Sequence, residues 1–167
     1  MKRKAWLGGA ALAWTLAWAA TAAKAAEFDL TGGASATAGV RWAPAMFADV
    51  TATPPGDGHA HFEPIGSIGV VGTRGTDHEN LDHNVSLVAG GLRYGRENGL
   101  FVGEQIAATS TRTDALSSRF EFMTSIGWRD GRWMVMLRHC SNAHILGGGR
   151  NLGETMLLAG VRFGARS

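Results

Sequence analysis

The sequence predicts an all-β fold in which antiparallel strands pair with their neighbours along the chain. Apolar and polar residues alternate with a period of two through most of the chain after residue 26, which is typical of strands with two different faces. Two segments between such runs, at 95–99 and 129–132, have the Gly, Asn and Asp content of tight turns. No convincing amphipathic helix follows residue 26.

The first 25 residues are predicted to be a secretory signal peptide. Lys2, Arg3 and Lys4 precede an uncharged apolar run over 5–23, and Ala23-Lys24-Ala25 resembles a cleavage site. The alternative is an uncleaved anchor, because a run of this length could span a bilayer. Cleavage is favoured because the run is rich in Ala and Gly and ends at the processing site. The remaining residues, 26–167, have the length of a single domain.

The alternation predicts about eight strands, an even number that gives roughly 18 residues for each strand and its connection. The first strand is expected from Ala34 to Trp42, and a weaker candidate lies near Met46 to Thr53. Further strands are predicted at 64–72, 85–94, 100–109, 120–128, 132–142 and 154–164.

Two architectures use such strands. In the run at 120–128, Phe120, Phe122 and Ile126 share the face opposite Glu121 and Ser125. A soluble lipocalin-like barrel or sandwich would turn the apolar face inward, whereas an outer-membrane barrel turns it to lipid. In lipid, every backbone polar group needs a partner, which closure of the sheet provides. We favour an eight-stranded antiparallel transmembrane β-barrel of the bacterial outer membrane.

The lengths of the connections predict the direction of each strand. Short turns of such barrels lie on the periplasmic side with both termini, and long loops lie outside the cell. The longer connections are predicted at 73–84, 110–117 and 143–153. The strand from Arg132 to Asn142 therefore runs outward and ends at the outer leaflet.

Composition excludes several classes of protein. A single Cys excludes a disulfide framework and a Cys-rich zinc module. After residue 25 the chain has 12 Arg, no Lys and 14 acidic residues, a net charge of −2, which argues against a nucleic-acid partner. The pairs His59/His61 and His78/His83 lack a third ligand with suitable spacing, so no metal or other cofactor is predicted.

The end of the outward strand carries a pair of polar residues on an apolar face. Alternation places His139 and Ser141 on the same face as Val135 and Leu137, which is the lipid-facing one. Polar groups at such a place are costly unless they satisfy each other or have a function. The alternative is an interfacial His beside a loop-entry Ser that hydrogen-bonds the backbone. An imidazole can activate a serine hydroxyl as a nucleophile, and Glu154, at the start of the next strand, is available to orient the imidazole.

Beyond these features, the stretch Phe120 to Gly127, the pair Asp130-Gly131, and the run from Arg138 to Ala143 followed by Gly153-Glu154 resemble the PagL family of lipid A 3-O-deacylases. The specific resemblance covers about residues 119–164. It implies an eight-stranded outer-membrane barrel that hydrolyses the ester-linked 3-hydroxyacyl chain at the 3-position of lipid A, without a cofactor.

The resemblance also implies the role of each site residue. His139 matches the general base, Ser141 the nucleophile, Glu154 the orienting acid and Asn142 the residue at the oxyanion site. Lipopolysaccharide would be the substrate and outer-membrane lipids the surroundings, and a homodimer is compatible with the sequence.

Two features argue for alternatives. Thr155, Leu157 and Ala159 form the cleaner apolar face of the last strand, opposite Glu154. Parity therefore leaves open whether Glu154 points inward or is re-aimed toward the site by a bulge or by the loop. Cys140 alternates with His139 along the strand, so its thiol is expected to point into the barrel and away from the imidazole. The alternative functions are a non-enzymatic structural or adhesive barrel and a soluble periplasmic binding barrel.

Overall fold

The computed structural model describes residues 26–37, 41–52, 59–75, 80–143 and 150–164. Its strands are β1 (Ala26–Thr37), β2 (Arg41–Ala52), β3 (His61–Val71), β4 (Val85–Gly95), β5 (Gly99–Thr109), β6 (Phe120–Asp130), β7 (Trp133–Ser141) and β8 (Glu154–Phe163). Each strand pairs antiparallel with the next, and β8 pairs with β1. The predicted all-β, eight-stranded antiparallel barrel is therefore confirmed.

Some predictions concern residues that the structure does not describe. The signal peptide predicted at residues 1–25 lies outside the described residues, as does His78. Within the described ranges, no helix has the length and apolar character needed to cross a membrane.

The first predicted strand was wrong in its bounds. Residues from Ala34 to Trp42 do not form one strand, because β1 ends at Thr37 and β2 begins at Arg41. Ala36 pairs with Trp42 across this connection, so residues of the same parity face the same side on both strands. The alternation consequently continues through the turn without a break and conceals it. The weaker candidate near Met46 corresponds to the second half of β2.

The two faces of the sheet differ in polarity as the alternation predicts. In β7, Met134, Met136 and Arg138 are buried inside the barrel, whereas Val135 and Leu137 are exposed on its outer surface. Inside, an apolar layer includes Phe47, Phe101, Met123, Met136 and Leu158.

Buried ion pairs fill the interior near the chain termini. The Glu63 carboxylate accepts hydrogen bonds from Arg93 at 2.6 Å and from Arg129 at 2.8 Å. Arg93 also binds Asp29 at 2.9 Å, and Arg162 binds the same aspartate at 3.2 Å. Paired and hydrogen-bonded charges are the form in which charged groups occur in protein interiors.

The two ends of the barrel differ in their connections. The short connections 96–98 and 131–132 lie at the end that carries both chain termini, which we call the terminal end. The opposite end, which we call the loop end, is where β3 connects to β4 across 72–84, β5 to β6 across 110–119 and β7 to β8 across 142–153. The connection 110–119 packs inward there, because Ala115 and Leu116 are fully buried. These five connections lie at the ends that their lengths predict. However, β1 and β2 are joined by only three residues at the loop end, and β2 and β3 by eight residues at the terminal end, so length alone does not separate the two ends.

Candidate functional site

His139 and Ser141 lie on the outer surface of β7 at the loop end. Ser141 is the last residue of the strand, and His139 precedes it by two positions. The His139 side chain is exposed and the Ser141 side chain is half-buried. The exposed apolar residues Val135 and Leu137 precede them on the same face. The pair therefore has the orientation that alternation predicts, and it lies beside the long connections.

The His139 imidazole is held between a hydroxyl and a glycine. Its Nδ1 lies 3.0 Å from Thr155 Oγ1, on the residue that pairs with it across β7 and β8. A Cβ placed on Gly153 would lie only 2.7 Å from His139 Cε1 and 3.2 Å from Nε2. Gly153 has a φ of +71°, a conformation that favours glycine. These contacts fix the position of the ring at the start of β8.

Glu154 faces the interior of the barrel. It pairs with the inward residue Cys140, is 2% exposed, and accepts hydrogen bonds from the Ser35 hydroxyl and from Arg74 Nη2, the latter at 2.7 Å. The carboxylate and the imidazole of His139 thus point to opposite faces of the sheet. The role of Glu154 as the orienting acid stays a prediction. It would require the start of β8 to shift by one residue, so that the carboxylate faces outward.

Cys140 lies inside the barrel and is fully buried. A thiol is chemically a stronger nucleophile than a hydroxyl when it is ionised and accessible. Here the sheet separates it from the exposed imidazole of His139. Of Cys140 and Ser141, only Ser141 therefore shares a face with the imidazole of His139.

Asn142 joins the end of β7 to the connection 110–119. It is fully buried, and its Nδ2 donates a hydrogen bond to Ser117 Oγ at 2.9 Å. The same connection contacts the start of β8, where Gly153 N donates to Ala115 O at 3.0 Å. The connection 110–119 therefore packs against both chain segments that carry the candidate site.

Sequence reasoning missed two polar residues on the outer surface near this pair. Glu104 on β5 pairs with Thr124 on β6, and Thr124 in turn pairs with His139. Thr124 Oγ1 donates a hydrogen bond to Glu104 Oε2 at 2.7 Å, and both residues are exposed. The signal in the sequence was the position of Glu104, which lies two residues from both Val102 and Ile106 and therefore shares their exposed face.

Comparison of the chain with protein-family models, curated proteins and solved structures finds no match. The described ranges contain no group of three or more His, Cys, Asp or Glu residues that could hold a metal ion. The chemistry available at the site is that of a hydroxyl and an imidazole on one face, with a buried amide next to the hydroxyl. This set is suited to nucleophilic acyl transfer.

Proposed function

We propose that this protein is an outer-membrane esterase that removes the ester-linked 3-hydroxyacyl chain from the 3-position of lipid A, with Ser141 as nucleophile and His139 as general base. The observation that carries the proposal is the outward orientation of both residues on an apolar surface at the loop end. Polar side chains facing lipid are costly and mark functional sites. The resemblance of the run around His139 to lipid A deacylases gives the substrate.

Residues on the outer surface support a membrane location. Aromatic side chains cluster at the terminal end of the outer face, and they are Phe28, Phe62, Tyr94, Trp128, Trp133 and Phe163. At the loop end, Trp42 and Phe120 are also exposed on this face. Membrane barrels carry such aromatic belts at both interfaces, with apolar residues between them and polar residues inside. An exported chain of this kind belongs in the bacterial outer membrane.

The proposed reaction begins with proton transfer from Ser141 to His139 as the serine oxygen attacks the ester carbonyl. Asn142 is the candidate oxyanion donor, through its backbone N–H or through the side-chain amide whose Nδ2 also donates to Ser117. As the bond between the acyl carbon and the sugar oxygen breaks, His139 returns the proton to that oxygen. The sugar leaves as its free hydroxyl, and an acyl-serine remains. Water attacks this ester with the help of His139 and releases a 3-hydroxy fatty acid.

Neighbouring residues supply a surface for the substrate. The acyl chains would lie along Val135 and Leu137, which are exposed below the site. Arg112 and Arg119 are exposed on the connection 110–119 and would bind the phosphates of lipid A. Thr155 would hold the tautomer in which Nε2 of His139 accepts the serine proton, since its hydroxyl contacts Nδ1.

Mass spectrometry of lipid A tests the proposal. Lipid A from bacteria that express the protein should lose the mass of one 3-hydroxyacyl chain, and Ser141→Ala should abolish this loss. Ser86→Ala is the matched control, because Ser86 is an exposed serine on the outer face of β4 near the loop end. An unchanged lipid A spectrum, with the barrel folded by heat-modifiable migration, would reject the activity.

A non-enzymatic structural or adhesive barrel is the second candidate. The observation that favours it is the position of Glu154, whose carboxylate binds Arg74 inside the barrel instead of the imidazole. The same mass measurement distinguishes the two candidates, because a structural barrel would leave lipid A intact.

A further inference from the structure

Glu104 is unusual among the acidic residues of the barrel. The other strand acids in the described ranges either face the interior or, in the case of Asp130, end a strand at a terminal turn. The interior ones are Glu27, Asp29, Asp49, Glu63, Glu121 and Glu154. Glu104 instead lies in the middle of β5 on the outer face, between the exposed residues Val102 and Ile106. A carboxylate facing lipid is costly, and such residues mark functional sites by default.

Glu104 belongs to a polar row that crosses four strands of the outer face. The register pairs Glu104 with Thr124, Thr124 with His139, and His139 with Thr155. Hydrogen bonds join the outer pairs, at 2.7 Å between Thr124 and Glu104 and at 3.0 Å between His139 and Thr155. Adjacent strands are about 4.8 Å apart, so the backbones of Glu104 and His139 are separated by roughly 10 Å.

We propose that Glu104 is a positioning residue for His139 through its charge, with its carboxylate held in the row by Thr124. This inference rests on the proposed esterase function. When His139 takes the proton of Ser141 it becomes a cation, and a nearby negative charge stabilises that state. Glu154 does not supply this charge to the outer face, because it is buried on the inner face against Arg74. Glu104 is the carboxylate that shares both the face and the row of the imidazole.

Thr124 connects the carboxylate to the strand of the base. Its hydroxyl donates a hydrogen bond to Glu104 and so holds the carboxylate in the row of the imidazole. The attraction between two unit charges about 10 Å apart, at an effective dielectric constant near 20, changes the equilibrium constant for forming one of the charges by roughly tenfold. The proposal therefore predicts a roughly tenfold effect on the chemical step.

Two measurements on the purified full-length barrel test this proposal. The first is kcat and KM for deacylation of lipid A in mixed micelles, and the second is the rate at which a fluorophosphonate modifies Ser141. The fluorophosphonate needs an activated serine but not lipid A. Glu104→Gln should lower both kcat and the modification rate roughly tenfold with KM unchanged. Glu104→Asp should restore most of both rates, and Asp130→Asn is the matched control with wild-type rates.

Thr124 variants keep the test informative if Glu104→Gln does not fold. Thr124→Val should reproduce the loss in both rates, whereas Thr124→Ser should retain them. Wild-type rates in folded Glu104→Gln or Thr124→Val would overturn the proposal. A higher KM with an unchanged modification rate would also overturn it, because Glu104 would then contact the substrate.

The two proposals fail in different ways. A wild-type barrel that reacts with neither lipid A nor the fluorophosphonate refutes the esterase and the role of Glu104 together. A wild-type barrel that cleaves lipid A, with Glu104→Gln equally active, refutes only the role of Glu104. Modification of Ser141 that slows in Glu104→Gln without any cleavage of lipid A supports the positioning role and refutes the assigned substrate.

Discussion

The contact between Gly153 and the ring of His139 allows a sharp test of the site geometry. In Gly153→Ala the new methyl carbon would lie 2.7 Å from His139 Cε1 and 3.2 Å from Nε2. Carbon atoms in contact are about 3.5–4.0 Å apart, so the ring must move by roughly 1 Å. This movement would break the 3.0 Å contact between Nδ1 and Thr155 and change the orientation of the ring.

Gly153→Ala is expected to lose both folding stability and deacylation rate, and a control variant separates these two losses. The φ of +71° at residue 153 makes alanine unfavourable by about 1–2 kcal/mol of folding stability. Displacing a catalytic group by about 1 Å lowers the rate by roughly 10²-fold. Gly75→Ala is the matched control, because Gly75 has a φ of +63° and no atom lies within 4 Å of its added Cβ.

The assay compares lipid A deacylation with urea unfolding for both variants. Gly75→Ala should lose stability but keep activity, whereas Gly153→Ala should lose a similar amount of stability and most of its activity. Equal deacylation rates for the two folded variants would refute the placement of His139 against Gly153.

The remaining predictions concern the partners of buried and catalytic groups. Thr155→Val should lower kcat roughly fivefold through loss of a hydrogen bond to the imidazole, and Thr155→Ser should retain it; equal rates would contradict this. Glu154→Ala should cost less activity than His139→Ala, since its carboxylate faces Arg74 inside the barrel, and a loss as large as that of His139→Ala would reverse this ranking. Glu63→Gln should lower the free energy of unfolding by about 3–5 kcal/mol, because two buried guanidinium groups lose their shared counterion. Urea unfolding measures this change, and a decrease below about 1 kcal/mol would contradict it.

Sequence periodicity was sufficient to predict most strands and their faces. β3 to β8 were expected within a few residues of their bounds, because the connections between them interrupt the alternation or contain turn residues. The boundary between β1 and β2 was missed for a physical reason. Thr37 pairs with Arg41, so the connection keeps the parity of both strands, and alternation alone gives no sign of it.

From the sequence, the candidate site was predictable only as far as the face of the sheet on which each side chain lies. Parity along one strand predicted that His139 and Ser141 share the outer face. It left open whether Glu154 faces the site, and the structure turns this residue inward. Glu104 and Thr124 were missed because their proximity to His139 depends on the register between strands. Alternation specifies which face a residue occupies but not which residue lies opposite on the next strand.

The outward position of Ser141 has a consequence for how such an enzyme meets its substrate. Under the proposed esterase function, encounter would take place in the plane of the leaflet. The rate would then follow the mole fraction of lipid A around the barrel and its lateral diffusion, not its concentration in the aqueous phase. Dilution of lipid A with an inert phospholipid, at constant total amount, should slow hydrolysis in proportion.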